Sequence, residues 1–259
     1  GLISKELGLD AAGYFAAAWG ITMTYVGFLL GAMGADYYPR LTEVIHDKVA
    51  AVRLMNDQAQ LGLAIGGPVL LLLIGLAPWV ITLLYSSAFE PAVSLLQWQM
   101  VGNVFKLASW ALAFSIIAAA RGKTFFLMEL SFNIVFLSMV LIFLPHVGLE
   151  VTAYAFVLGY LVYLTIVYVL ARNIHGFRWQ TLSLGLLGLH TSLGVALLVL
   201  ALIAPFAAAV ASPLLAAATG LFSLRVILIK TGPGGRLTAR LTRIYEVIGW
   251  PIVHKNETR

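Results

Sequence analysis

Seven apolar runs, at about 13–34, 61–84, 93–119, 124–144, 149–171, 184–204 and 208–229, constrain this chain more than any other feature of it. A helix that crosses the hydrocarbon core of a bilayer needs ~20 mostly apolar residues, and each run reaches that length. A run such as 61–84 is far longer than the ~9–11 residues of a membrane barrel strand, and none shows the alternation of such a strand. Helices are the remaining way to satisfy backbone groups in lipid. The predicted fold is therefore all-α, a polytopic transmembrane helix bundle of about seven spans over 1–230, followed by a basic amphipathic tail over 231–259. Composition agrees: 61% of residues are apolar and 10% charged, against about 25% charged in a soluble domain. The absence of cysteine excludes a disulfide scaffold and any Cys-ligated metal centre. The opening segment, Gly1–Asp10, has neither the charged n-region nor the apolar core of a signal peptide, and the chain reads as starting inside a longer protein.

Orientation follows from the connections, because lysine and arginine concentrate in cytoplasmic loops. Arg40, Lys48 and Arg53 lie between the first two spans, Arg121 and Lys123 between the third and fourth, and Arg172 and Arg178 between the fifth and sixth. The alternate connections carry no lysine or arginine. Arg225, Lys230, Arg236, Arg240, Arg243, Lys255 and Arg259 close the chain, and only Lys5 and Lys106 fall outside this pattern. The expected arrangement is an outer N-terminus and a cytoplasmic tail. The net charge of +5 is spread over these loops without any nucleic-acid recognition module, so no nucleic-acid partner is expected; the phospholipid bilayer accounts for it. Leu41–Gln58 and Arg236–Trp250 both carry apolar residues at helical spacing beside charges and read as helices lying on the membrane. In the second, Leu237, Leu241, Ile244 and Ile248 form the apolar stripe, and Gly232–Gly235 separates it from the last span.

Polar groups inside spans are costly unless paired or hydrated, which makes them informative. Lys106 sits halfway along the third span. At about 100° per residue, Gln99, Asn103, Lys106 and Trp110 fall on one stripe, which is expected to face a hydrated cavity or the bundle interior. A structural lysine bonded to a neighbouring helix is the alternative. In the fourth span Glu129 and Asn133 share a face, with Phe136 continuing it. Glu129 lies about 8 Å from the inner end of its helix and Lys106 about 20 Å from the inner end of its own, so a direct pair requires the lysine stem to reach inward. At the end of the first span Asp36 and Arg40 are four apart, with Pro39 between them as a helix-ending residue. Asp36 and Glu129 are the candidate ion-coupling carboxylates, and Arg40 is a candidate inner gate.

Catalytic chemistry is not evident. His46, His146, His175, His190 and His254 show no two-histidine metal spacing and no partnering nucleophile, and His190 reads as structural. The glycines of 62–67 lie in a span without a phosphate-binding lysine and read as helix packing. No cofactor and no metal is expected.

A series of segments resembles bacterial O-antigen translocases, lipid-linked oligosaccharide flippases of the multidrug/oligosaccharidyl-lipid/polysaccharide exporter superfamily. They are 7–19 (LGLDAAGYFAAAW), 30–41 (LGAMGADYYPRL), 83–92 (LLYSSAFEPA), 96–99 (LQWQ), 121–126 (RGKTFF) and 149–153 (LEVTA). The resemblance runs over about 1–180. It implies the C-terminal half of such a protein, one lobe of a two-lobed fold, with the N-terminal lobe as its missing partner and the bacterial inner membrane as its location. The implied cargo is a polyprenyl-diphosphate-linked oligosaccharide, and the implied partners extend to polysaccharide polymerase machinery. In that setting Lys106 would neutralise the diphosphate, Gln99 and Asn103 would hydrogen-bond sugar hydroxyls, and Trp110 would stack on a sugar face. Asn133 would continue the pathway. The protein is then no enzyme. An ion-coupled exporter of small cationic drugs, a membrane polymerase or ligase of polysaccharide assembly, and a non-transporting scaffold stay open as alternatives.

Overall fold

A computed structural model describes residues 1–231, 236–247 and 249–252. Its elements are α1 (Leu2–Val44), α2 (Lys48–Leu84), α3 (Ala92–Ala118), α4 (Gly122–Val147), α5 (Val151–His175), α6 (Thr181–Ile203), α7 (Pro205–Thr231) and the shorter α8 (Arg236–Val247). Each of the seven apolar runs falls in one of α1 to α7, give or take an end residue or two. Among the described residues six helical stretches are long and apolar enough to cross a membrane. The longest, Gly122–His175, contains both α4 and α5, parted at Gly148, whose φ of 76° turns the chain back. The protein is an all-α polytopic membrane helix bundle.

The bundle is organised around α3, which packs against α1, α2, α4, α5 and α6. Buried residues make up 72% of its most apolar window, against 17% for the Gly122–His175 stretch, so α3 is the central pillar and α4 a peripheral helix. On the other side α2 packs on α7 and α6. Close approach here depends on small residues, as it must between helices that gain nothing by leaving lipid for protein. Gly67 of α2 lies directly under the His190 ring of α6, Gly75 of α2 meets Ser212 of α7, and a Cβ on Gly102 of α3 would fall 2.6 Å from the Phe156 ring of α5. The glycine-rich 62–67 segment is thus a packing surface. His190 is buried there, with Nδ1 bonded to Leu186 O at 2.9 Å.

Three local expectations change. Pro39 does not end α1. The helix runs on to Val44, and Thr42 Oγ1 donates to Pro39 O at 2.6 Å. Nor is Leu41–Gln58 a single surface helix. Asp47 starts α2 by accepting Val49 N–H at 2.9 Å and Ala50 N–H at 3.1 Å, which divides the segment between α1 and α2. Its apolar residues Leu41, Ile45 and Met55 are buried in a cluster with Leu112, Ile116 and Val167, because α3 and α5 offer them protein to pack against. Finally, α8 is folded against α7: Tyr245 donates to Leu221 O and packs with Leu228 and Leu241, while Ile244 stays half-exposed. The Gly232–Gly235 cluster, Ile248, Lys255 and Arg259 lie outside the described residues, as do the side chains of Arg236 and Leu237.

Candidate functional site

Peripheral packing of α4 leaves space between it and the pillar. A cavity of about 260 Å³ lies among α3, α4 and α5, lined by Lys106, Trp110, Phe125, Glu129, Tyr160 and Tyr163 with further apolar residues. It extends from the middle of α3 toward the end of the bundle where most basic residues lie. Its walls are largely aromatic: Phe132 and Tyr160 have ring centroids 4.4 Å apart, and Trp110 and Phe114 4.7 Å.

The lysine enters from α3. A helical side chain leans toward the N-terminus of its own helix, and the Lys106 stem carries Nζ to the level of Met23 on α1, 4.0 Å from its sulfur. The Tyr160 ring of α5 lies 5.4 Å from Nζ, a cation–π arrangement. The ion pairs among the described residues are Arg40–Asp36 and Lys230–Asp57, so Lys106 is a partly buried cation held by a thioether and a ring face rather than by a carboxylate. Glu129 occupies the same cavity from α4 and accepts the Tyr163 hydroxyl on Oε1. The lysine does not reach inward to it.

The expected stripe divides. Lys106 and Trp110 line the cavity, whereas Gln99 and Asn103 are fully buried higher on α3. Gln99 Oε1 accepts Thr22 Oγ1 of α1 at 2.7 Å. Among the described residues Gln99 Nε2 and both polar atoms of Asn103 are buried without a hydrogen-bond partner. The cause is the position of α3: a pillar surrounded by five helices meets a different neighbour at each level of one stripe. Asn133 is exposed, and its Nδ2 donates to Glu129 O within α4 at 3.1 Å, outside the cavity lining.

Asp36 and Arg40 form an exposed pair at 3.0 Å, so the helical register across Pro39 brings them together. Neither belongs to the Lys106 cavity. Arg40 instead lines a groove with Asp57 and Lys230 between α2 and α7.

Two groups of residues escaped the sequence reading. Tyr160 and Tyr163 carry the polar tips of the α5 wall; their signal is a pair of hydroxyls three apart in an apolar helix. Asn56 and Gln60 of α2 hold the α5–α6 connection. Asn56 Nδ2 donates to Arg178 O at 3.0 Å, and Oδ1 accepts Gln180 N–H and Ser183 Oγ–H, each at 2.8 Å. Gln60 Nε2 donates to Gln180 Oε1 at 2.9 Å and Ser183 Oγ at 2.8 Å. No three His, Asp or Glu side chains among the described residues are grouped so as to hold a metal ion. Compared with family models, curated proteins and solved structures, the chain finds no match.

Proposed function

We propose that the chain is the C-terminal lobe of a flippase that moves a polyprenyl-diphosphate-linked oligosaccharide across the bacterial inner membrane. One observation carries this reading: a cation halfway along the central helix, opening on an aromatic cavity and held by Tyr160 and Met23 instead of a carboxylate. Its N–H donors are available to an anion without first breaking an ion pair, which in a low-dielectric interior would be costly. Aromatic walls suit the apolar faces of sugar rings, and Trp110 is placed to supply one. The polyprenyl tail stays in the bilayer, and no covalent step is involved. Phospholipid and the N-terminal lobe of the same protein are the partners of this reading, with the outer N-terminus and cytoplasmic tail that the basic loops imply.

Glu129 has a separate part. It is the coupling-ion candidate of this reading, and the Tyr163 hydroxyl that it accepts ties α4 to α5 beside the cavity. The same carboxylate favours a second reading, an exporter of small organic cations by the same fold, in which Glu129 binds the cargo.

Complementation of a flippase-null strain separates them. The gene is expressed in full, at matched membrane abundance, with Lys106→Ala, Lys106→Arg and Glu129→Gln. The flippase reading expects surface polysaccharide to return with the parent and with Lys106→Arg, and to be lost with Lys106→Ala. Equal rescue by Lys106→Ala refutes a substrate role for the lysine. Failure of the parent, together with Glu129-dependent resistance to cationic dyes, selects the exporter.

A further inference from the structure

A second cavity, unrelated to the Lys106 site, lies at the basic end of the bundle. Its volume is about 250 Å³, and it is lined by Ile45, His46, Lys48, Ala119, Arg121, Ile174 and His175. These residues come from the α1–α2 turn, the start of α2, the α3–α4 turn and the last turn of α5. Every ionisable side chain in the lining is basic. The nearest acid in sequence, Asp47, has its Oδ1 engaged by the N–H groups of Val49 and Ala50.

Helix ends also meet at the cavity. The C-termini of α3 and α5 bring partial negative charge, part of which is taken up by hydrogen bonds to their last carbonyls. Arg121 N donates to Ile116 O at 3.1 Å, Ala120 N to Ile117 O at 2.8 Å, and Gly176 N to Arg172 O at 2.9 Å. Ser115 O is bonded by His175 Nε2 at 3.2 Å, which also fixes the ring in the wall. The N-terminus of α4 has no side-chain cap, since its N-cap residue is Arg121 itself. Ala120, which precedes it, has a φ of 56°, a left-handed conformation that alanine adopts at a cost. The strained residue turns the chain so that Arg121 stands at the cavity while its backbone closes α3.

We infer that this cavity binds a phosphate group, held by Arg121, Lys48 and His46 at the level where the apolar helices end. A forked guanidinium beside a point-charge ammonium suits a tetrahedral oxyanion, and the volume is below the ~300–1,000 Å³ of drug-sized pockets. Two sources share that chemistry: the headgroup of an anionic phospholipid, which basic pockets between transmembrane helices take, and free phosphate.

The purified full chain, in zwitterionic detergent, is titrated with phosphatidylglycerol, phosphatidylcholine and inorganic phosphate, and bound species are read by native mass spectrometry and by thermal unfolding. Wild type should prefer phosphatidylglycerol over phosphatidylcholine. Lys48→Gln/Arg121→Gln should lose that preference by about tenfold or more. Arg172→Gln/Arg178→Gln, which removes two exposed basic groups of the same end that lie outside the lining, should keep it. Displacement of lipid by millimolar phosphate, with phosphate raising the unfolding temperature of wild type above a chloride control, assigns the site to free phosphate. Binding of lipid that phosphate does not displace assigns it to the headgroup. Equal loss in both double variants, or no preference of wild type for either phosphate species, overturns the inference, and the wild-type arm holds even where a variant does not fold.

Discussion

Replacing Asn56 by alanine tests the fold at a point where a single side chain ties the start of α2 to the connection that follows α5. Asn56 is fully buried and makes three bonds there, to Arg178 O and Gln180 N of the connection and to Ser183 Oγ in the first turn of α6. A net contribution of about 0.5–1.5 kcal/mol for each bond places the loss at about 2–4 kcal/mol, the upper part applying because Gln180 N–H and Arg178 O are left without that partner. Asn56→Asp retains the acceptor for Gln180 and Ser183 but sets a buried carboxylate against the carbonyl oxygens of Val52 and Arg178, so its loss should be at least as large as that of alanine. Equilibrium unfolding in lipid–detergent micelles titrated with SDS gives the free energies. Amide exchange over 176–183 reports the site, and protection there should fall in the alanine variant before it falls in α3. A loss below about 0.5 kcal/mol for alanine, or an aspartate variant clearly more stable than alanine, would refute the accounting.

Gly67→Ala should destabilise by about 1–3 kcal/mol in the same unfolding assay, because the added methyl overlaps the His190 ring. His190→Ala in the same chain should recover most of it, and strict additivity of the two would rule out the contact. Thr22→Val removes the donor to Gln99 Oε1 and should cost about 1 kcal/mol, while Thr22→Ser should cost less; a serine loss larger than the valine loss would show that methyl packing and not the hydrogen bond matters at the α1–α3 contact.

The sequence carried the helices because apolar length is a property of each segment alone. It also carried the close packing at 62–67, which depends on spacing within one element, but left the Asp36–Arg40 pair open, because a proline between them reads as a helix end. What it could not carry is which helix a given face meets. Gln99, Asn103, Lys106 and Trp110 share a stripe as their spacing requires, yet Gln99 meets Thr22 of α1 and Trp110 meets the cavity, because α3 has neighbours on nearly every side. Asn56 lies within the segment whose spacing suggests a surface helix, 41–58, and Gln60 just beyond it, and both are missed for a related reason. Their partners lie about 120 residues away, and a neutral amide at helical spacing looks the same on a solvated face as in a buried clamp.

The two charges of the α3–α4–α5 cavity then take their meaning from their different neighbours. Glu129 is reached by a hydroxyl from α5, a bond that joins α4 to α5 across the peripheral hairpin. Lys106 is reached by a ring and a sulfur, which favour its charge weakly and leave its donors to a third party. Had the two formed a pair, each would have cancelled the other, and an anion entering the cavity would have had to displace a carboxylate in a low-dielectric setting. On the proposed reading, keeping them apart, with Tyr160 beside one and Tyr163 bonded to the other, would let the anionic cargo and the coupling ion be handled at separate points on the same wall. These points would be coupled through α5, which carries both tyrosines, and by the Coulomb attraction of the two charges across their shared cavity. Substitution of Tyr160 by leucine should therefore alter the response to Lys106 variants while leaving the Tyr163–Glu129 bond in place.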